Sequence, residues 1–344
     1  MVPRRLTTAP SGYTIHLILR NLNKMSFSEL DSLSSFFQSV MPTNGFQQLR
    51  DSVLPTLVDA IIQISDTVKA SHHISAGPSN VSAGEILSDV ASKCPTVNTA
   101  STDGELVHRS SDEACINPGE EEEYSVTFDP PDGSPNIPAN WTVSVIIGIW
   151  SGRTIIHQTP SEKLVASILG IFGPRTTAVI SLRLPGSKPL CFEAEIGLSG
   201  FAESIVIRPE IRLSPSPYKT RYFAPANLAA GVDNQRYTDL ITHFIQNKYA
   251  LRYNGGLAPD IVFALLNGHG IYISPVTSAS KPKMMRVFEL FPIALTLECT
   301  GGRAIDPADS KDILARPAED MYEKGGLVCG TAEEVEFVER WFSA

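Results

Sequence analysis

The chain has 344 residues, 42% of them hydrophobic and 19% charged, with a formal net charge of −9. That length suits two fused sub-domains or one large layered domain, and the composition is that of an ordinary globular protein. No apolar run approaches the roughly 20 residues of a membrane-spanning helix. The acidic balance argues against a nucleic-acid partner, which needs a basic face.

Residues 1–28 carry Arg4, Arg5, Arg20 and Lys24, with no acidic residue before Glu29. Such a segment reads as an organelle transit peptide, mitochondrial or plastid, or as an uncleaved basic extension of a cytoplasmic protein. Residues 1–44 are set apart on this basis. Leu49, Val53, Leu57, Ile61 and Ile64 then recur at helical steps, predicting a helix over 47–71 with a kink or a late start at Pro55. Residues 72–122 are polar, with a short helix expected at 85–93. The acidic run at 119–123 reads as a solvated turn, and His72-His73 as a loop.

Strands are expected at 124–128, 142–150, 177–184, 189–196 and 204–213, each rich in Val, Ile or Phe. A helix is expected at about 162–171, another at 237–246, and a third at roughly 286–299 that ends on Gly301-Gly302. The last strand, 326–329, runs into a helix opened by Thr331 and Glu334 in capping-box form, with Val335, Val338 and Phe342 on one face. Mixed elements in this order predict a layered α/β protein with halves at 45–205 and 206–344. Cys94, Cys115, Cys191, Cys299 and Cys329 have no metal-ligand spacing and read as buried thiols in a reducing compartment.

The most informative stretch is Phe128-Asp129-Pro130-Pro131-Asp132-Gly133-Ser134-Pro135-Asn136, a loop leaving a strand. Two carboxylates three positions apart on such a loop can share one hard cation, and Mg²⁺ favours sparse carboxylate binding with waters retained. The Gly133-Ser134 step can aim backbone N–H groups at an anion. Metal and phosphate would then meet at one loop end, as metal-assisted phosphate ester hydrolysis requires.

This loop resembles the signature of the fructose-bisphosphatase and sedoheptulose-bisphosphatase family. GPRTT at 173–177, Asn227, RYNGG at 252–256, Pro259-Asp260, the stretch 283–292 and Gly301-Gly302-Arg303 also look like family segments, nearer to the sedoheptulose-bisphosphatases in detail. The resemblance implies the αβαβα sandwich of inositol-phosphatase-like sugar phosphatases. It implies that Asp129, Asp132 and Glu289 hold metal, with Asp112 reaching a second ion, and that Glu113 with Asp112 manages the attacking water. Gly133 and Ser134 would cradle phosphate. Asn227, Arg252, Tyr253 and Lys283 would grip the sugar and its distal phosphate, with Arg252 crossing a subunit interface in a homo-oligomer.

The chain also departs from the family pattern. Pro131 replaces a leucine and Pro135 a serine; Asp112 is one methylene shorter than the usual glutamate; Ser274 and Ala230 stand where tyrosines are usual. Upstream, Pro78 and Gly84 fill places of two expected acids, with Glu85 one position late. The resemblance implies Mg²⁺-dependent removal of the 1-phosphate of sedoheptulose 1,7-bisphosphate or fructose 1,6-bisphosphate. The departures favour an alternative, a catalytically degenerate relative acting as a scaffold subunit of a larger assembly.

Overall fold

The computed structural model describes residues 31–41, 45–70, 97–101 and 122–343. The basic N-terminal segment, His72-His73, the expected helix at 85–93, Cys94 and Cys115 lie outside them. Helix α1, Leu33–Val40, starts at Ser32, whose hydroxyl accepts the Ser35 N–H at 3.1 Å, and buries Leu33, Phe36 and Phe37. The next helix opens with one wide turn, Leu49–Val53, before α2, Leu54–Ala70. Pro55 explains the wide turn: it has no N–H for the preceding turn, and the Leu54 N–H pairs back to the Leu49 carbonyl instead.

Seven strands form the first sheet in chain order: β1 (Val97–Ser101), β2 (Tyr124–Asp132), β3 (Val143–Ser151), β4 (Leu164–Phe172), β5 (Thr176–Leu182), β6 (Leu190–Gly197) and β7 (Gly200–Arg208). All neighbours are antiparallel except β1 with β2. Strand β4 corrects the helix expected at 162–171. Only one helical turn, α3 (Pro160–Lys163), precedes it. Between β3 and β5 and covered on both faces, β4 is buried almost throughout, so its sequence shows no two-residue alternation to betray it.

The second half adds β8 (Tyr222–Pro225), α4 (Gln235–Gln246), β9 (Ala250–Leu251), α5 (Leu257–Leu266) and β10 (Ile271–Ser274). After β11 (Met284–Met285) come a wide turn, Arg286–Leu290, and α6 (Phe291–Thr300). Then follow β12 (Gly302–Ile305), β13 (Lys324–Gly325), β14 (Leu327–Thr331) and α7 (Ala332–Ser343). A five-stranded sheet runs β12-β14-β10-β8-β9, and β11 pairs with β13 as a separate ribbon. Helix α6 ends as its glycines predict, with Gly301 at φ 82°.

Three apolar cores separate five layers. Helices α1 and α2 pack on one face of the large sheet through Leu57, Ile61, Val126 and Phe128. Its other face, with Ile146, Trp150 and Leu169, meets α5 and α6, which also back onto the five-stranded sheet. Helices α4 and α7 cover that sheet's far face through Tyr237, Phe244, Val335 and Val338. The result is the layered αβαβα arrangement.

The capping box at Thr331 does not form. Thr331 is still in the β14 ladder, its hydroxyl accepting from the Gly270 N–H at 3.2 Å, while Glu334 is held by the Tyr249 hydroxyl at 2.9 Å. Cys191, Cys299 and Cys329 are free, buried thiols. Burial pushes those of Cys191 and Cys299 up to about 12, so neither is ionised near neutrality.

Candidate active site at the junction of the two halves

Strand β2 places the two loop aspartates. Asp129 pairs with Ile146 and Asp132 with Ser144, so three steps on β2 oppose two on β3. The extra residue is a β-bulge in the Pro130-Pro131 stretch, where two missing N–H groups cannot enter a ladder anyway. In a regular strand, residues three apart point to opposite faces. The bulge restores both aspartates to one face, the one covered by the turn that leads into α6.

That turn carries Glu289, half-buried, with Oε2 accepting the Met285 N–H at 2.5 Å. Burial, then the negative charge of Asp129 and, more weakly, of Asp132, hold its carboxyl well above the usual range. The Met285 N–H and the Lys324 ammonium oppose this shift. Strand pairing sets Lys324 opposite Met285, which brings a cation to the acids that sequence reasoning had not singled out. Two carboxylates from one half of the chain therefore act on a third from the other half.

The three are not equivalent. Asp132 is buried, and both of its oxygens are engaged: Ser144 Oγ donates at 2.6 Å, Ala258 N at 2.8 Å and Leu257 N at 3.0 Å. Its carboxylate thus satisfies the first N–H groups of α5, the ordinary position for an anion at a helix N-terminus. Burial nonetheless outweighs these three bonds and raises its carboxyl. A hard cation suits Asp129 and Glu289, because it would offset the negative charge on Asp129 that raises Glu289. Among the described residues, no group of three His, Cys, Asp or Glu is gathered closely enough to hold a metal.

Gly133 follows at φ 78°, with Ser134 opening a 3-10 turn, Ser134–Ala139. A side chain at Gly133 would sit 3.2 Å from the Gly256 Cα, so the two loops meet backbone to backbone. The RYNGG segment is pinned beneath by Asp260, a buried carboxylate that accepts the Asn254 N–H at 2.6 Å and the Gly255 N–H at 3.3 Å. Burial pushes Asp260 up to about 7, against those two bonds and helped by the charge on Asp132.

Arg252 and Tyr253 reach a broad groove shared with Lys69, Trp141 and Phe263. The Arg252 guanidinium lies 5.5 Å over the Tyr222 ring and 5.6 Å over Phe263, and Nη1 donates to the Leu251 carbonyl at 2.7 Å. Asn227, at φ 54°, spends its side chain on the following loop, donating to the Pro275 carbonyl and accepting from Ser280 Oγ, both at 2.6 Å. That loop leads to Lys283, which is exposed. Asp112 and Glu113 lie outside the described residues. Ser144 and Asn136 became visible only in the fold: the Ser144 partner sits across the β2–β3 pairing, and that of Asn136 is 118 residues away.

The layers and the carboxylate-bearing strand end define a protein of the α/β-sandwich sugar-phosphatase type. Comparison with known proteins narrows this. Residues 47–202 match the N-terminal domain of fructose-1-6-bisphosphatase, and residues 216–343 match its C-terminal domain. The chain belongs to the fructose-1,6-bisphosphatase and sedoheptulose-1,7-bisphosphatase family. It is 31% identical over 213 residues to the chloroplastic sedoheptulose-1,7-bisphosphatase of Spinacia oleracea, covering 62% of this chain and 52% of that one. It is 33% identical over 221 residues to the class 1 fructose-1,6-bisphosphatase of Syntrophotalea carbinolica, covering 63% of each. The chain thus spans about half the length of the plant relative. Its fold superposes on a Toxoplasma gondii protein described as a sedoheptulose-1,7 bisphosphatase, with TM-score 0.75, 25% identity and coverage of 91% and 99%. Leishmania major fructose-1,6-bisphosphatase in its holo form shares the fold, with TM-score 0.74, 18% identity and the same coverage.

Proposed function

We propose that this chain hydrolyses the 1-phosphate of a sugar bisphosphate, sedoheptulose 1,7-bisphosphate or fructose 1,6-bisphosphate, with Mg²⁺ as cofactor. The observation that carries the reading is the β2 bulge that sets Asp129 and Asp132 on the face covered by the turn bearing Glu289, close enough for both to act on its carboxyl. Asp129 and Glu289 would hold the cation. When bound, it supplies charge neutralisation to the phosphoryl oxygens and acidifies a coordinated water. Asp132 keeps the N-terminus of α5 facing the loop, and Gly133 and Ser134 present the backbone that receives the phosphate. Glu113 and Asp112 orient the attacking water and take its proton. Arg252, Tyr253, Asn227 and Lys283 bind the sugar and its distal phosphate, with a homo-oligomer bringing Arg252 to a neighbouring subunit. The basic N-terminus and the chloroplastic relatives support an organelle, mitochondrion or plastid, as the site of action.

One observation favours a second reading, a degenerate relative serving as a scaffold subunit in a larger complex. Three hydrogen bonds from Ser144 and α5 already occupy both oxygens of Asp132, which makes it a poorer cation ligand than a free loop carboxylate. Phosphate release by the purified full chain with millimolar Mg²⁺ separates the two, offering both bisphosphates and including Asp129→Ala. Turnover that vanishes in the variant supports the hydrolase. Equal, background-level release from both proteins, folded and in their native oligomer, supports the scaffold.

A further inference from the structure

The contact between the acid loop and the sugar-side loop is built from two asparagines outside the proposed machinery. Asn136 Nδ2 donates to the Asn254 carbonyl at 3.0 Å and lies 3.4 Å from the Thr142 carbonyl. Asn254 Nδ2 donates to that same Thr142 carbonyl at 2.9 Å. Each side chain therefore bridges a backbone group of the other segment, over 118 and 112 residues of chain. Two further ties run in parallel: Asp132 holds Leu257 and Ala258, and Asp260 holds the Asn254 and Gly255 N–H groups. The glycines at 133 and 256 let the backbones approach this closely.

Residues 129–136 carry the acid and phosphate-facing groups, while 252–256 carry Arg252 and Tyr253. A single knot of side chain–backbone bonds fixes the distance between them. Neither asparagine touches the position of a reacting atom; each acts through the loop that it anchors. We propose that Asn136 and Asn254 are positioning residues that make the two loops one mechanical unit, so that a divalent cation on one side and a phosphorylated sugar on the other strengthen each other's binding. This rests on the function proposed above, and it goes further in assigning a coupling and the residues that transmit it. Coupling of this kind is reciprocal: whatever factor the cation adds to sugar-phosphate affinity, the sugar phosphate returns to the cation.

Two measurements test it on the full chain. In calorimetric titrations, Mn²⁺ and fructose 6-phosphate are added singly and together to wild type, Asn136→Ala and Asn254→Ala. Wild type should bind each ligand about five-fold or more tightly in the presence of the other. In either variant both ligands should still bind alone, with the mutual enhancement gone. Enhancement retained in both variants, or absent from a wild type that binds both ligands, overturns the inference. The second measurement needs no ligand. Amide exchange at Leu257 and Ala258 should speed up about ten-fold in Asn136→Ala, the equivalent of one lost hydrogen bond. Exchange in β14 and α6 should stay unchanged, which separates a loosened junction from general unfolding. Unchanged exchange at 257–258 overturns the mechanical link. A wild type that binds neither ligand instead defeats the proposed function, and the exchange result still decides whether the loops move as one.

Discussion

Replacing Asp260 by Asn should remove much of the pH dependence of stability and leave the fold in place. In the folded chain its carboxyl is pushed up to about 7 from an ordinary 3.8. A carboxyl raised in this way is protonated in the native state while still ionised in the unfolded one. It therefore contributes stability that is complete below the unfolded value and is lost as pH rises through the folded value. The full shift corresponds to about 4 kcal/mol, of which about 2.5 kcal/mol falls between pH 5 and pH 8. Asparagine keeps an oxygen for the Asn254 N–H at 2.6 Å and carries no charge to bury. Its amide nitrogen cannot accept the Gly255 N–H at 3.3 Å, so the variant carries a pH-independent cost of about one hydrogen bond. Whatever fixed cost the substitution carries, Asp260→Asn should therefore gain about 2.5 kcal/mol on wild type between pH 5 and pH 8. Urea unfolding at half-unit pH steps without divalent cation gives both curves and, through the slope m, checks that the denatured state is unchanged. Asp132 and Glu289, also raised by burial, tilt both proteins the same way, so the difference between the curves is the diagnostic. Parallel curves would refute the reasoning and show Asp260 to be ionised throughout.

Two further outcomes follow from the same elements. Arg286 is buried against Asp306, and its Nε is 3.0 Å from Glu323, which Arg316 also contacts at 2.5 Å. Arg286→Met should cost about 3–5 kcal/mol, with part regained on adding Asp306→Asn, because truncating one partner strands a buried charge; thermal unfolding of the single and double variants measures it. Gly133→Ala should lower stability by about 1–2 kcal/mol, the cost of a left-handed conformation for an L-residue, and Gly256→Ala, added on top, should cost more than its own single effect because the two backbones face each other.

Much of this arrangement could be read from the chain. The α2 period, the alternating β2 segment, the apolar β3 run, the Gly301 terminus and the α7 face all follow from local chemistry that tertiary contacts reinforce. Strand β4 could not, because burial on both faces erases the pattern that separates strand from helix, and its leading Pro160-Ser161-Glu162-Lys163 reads as a helix start that lasts one turn. The Thr331 capping box failed for a related reason: both of its polar ends found partners on neighbouring elements. At the site, the acids were legible as residue types. Their relation was not, since the bulge that aligns Asp129 with Asp132 depends on register with β3. The engagement of Asp132 depends on where α5 docks, and Asn136 and Ser144 gained meaning only from segments brought alongside by the fold.

Helix α6 limits how this architecture can be taken apart. Nine of its ten residues are buried, and its Thr296 hydroxyl lies 2.8 Å from that of Ser167 in the large sheet. By chain order it belongs with the five-stranded sheet, yet it supplies the wall against which β3 to β6 close. Cutting the protein between β7 and β8 would therefore leave neither piece with a complete interior. The segments on either side of residues 209–221 share that middle core, so exchanging one for a foreign counterpart should require compensating changes in the other.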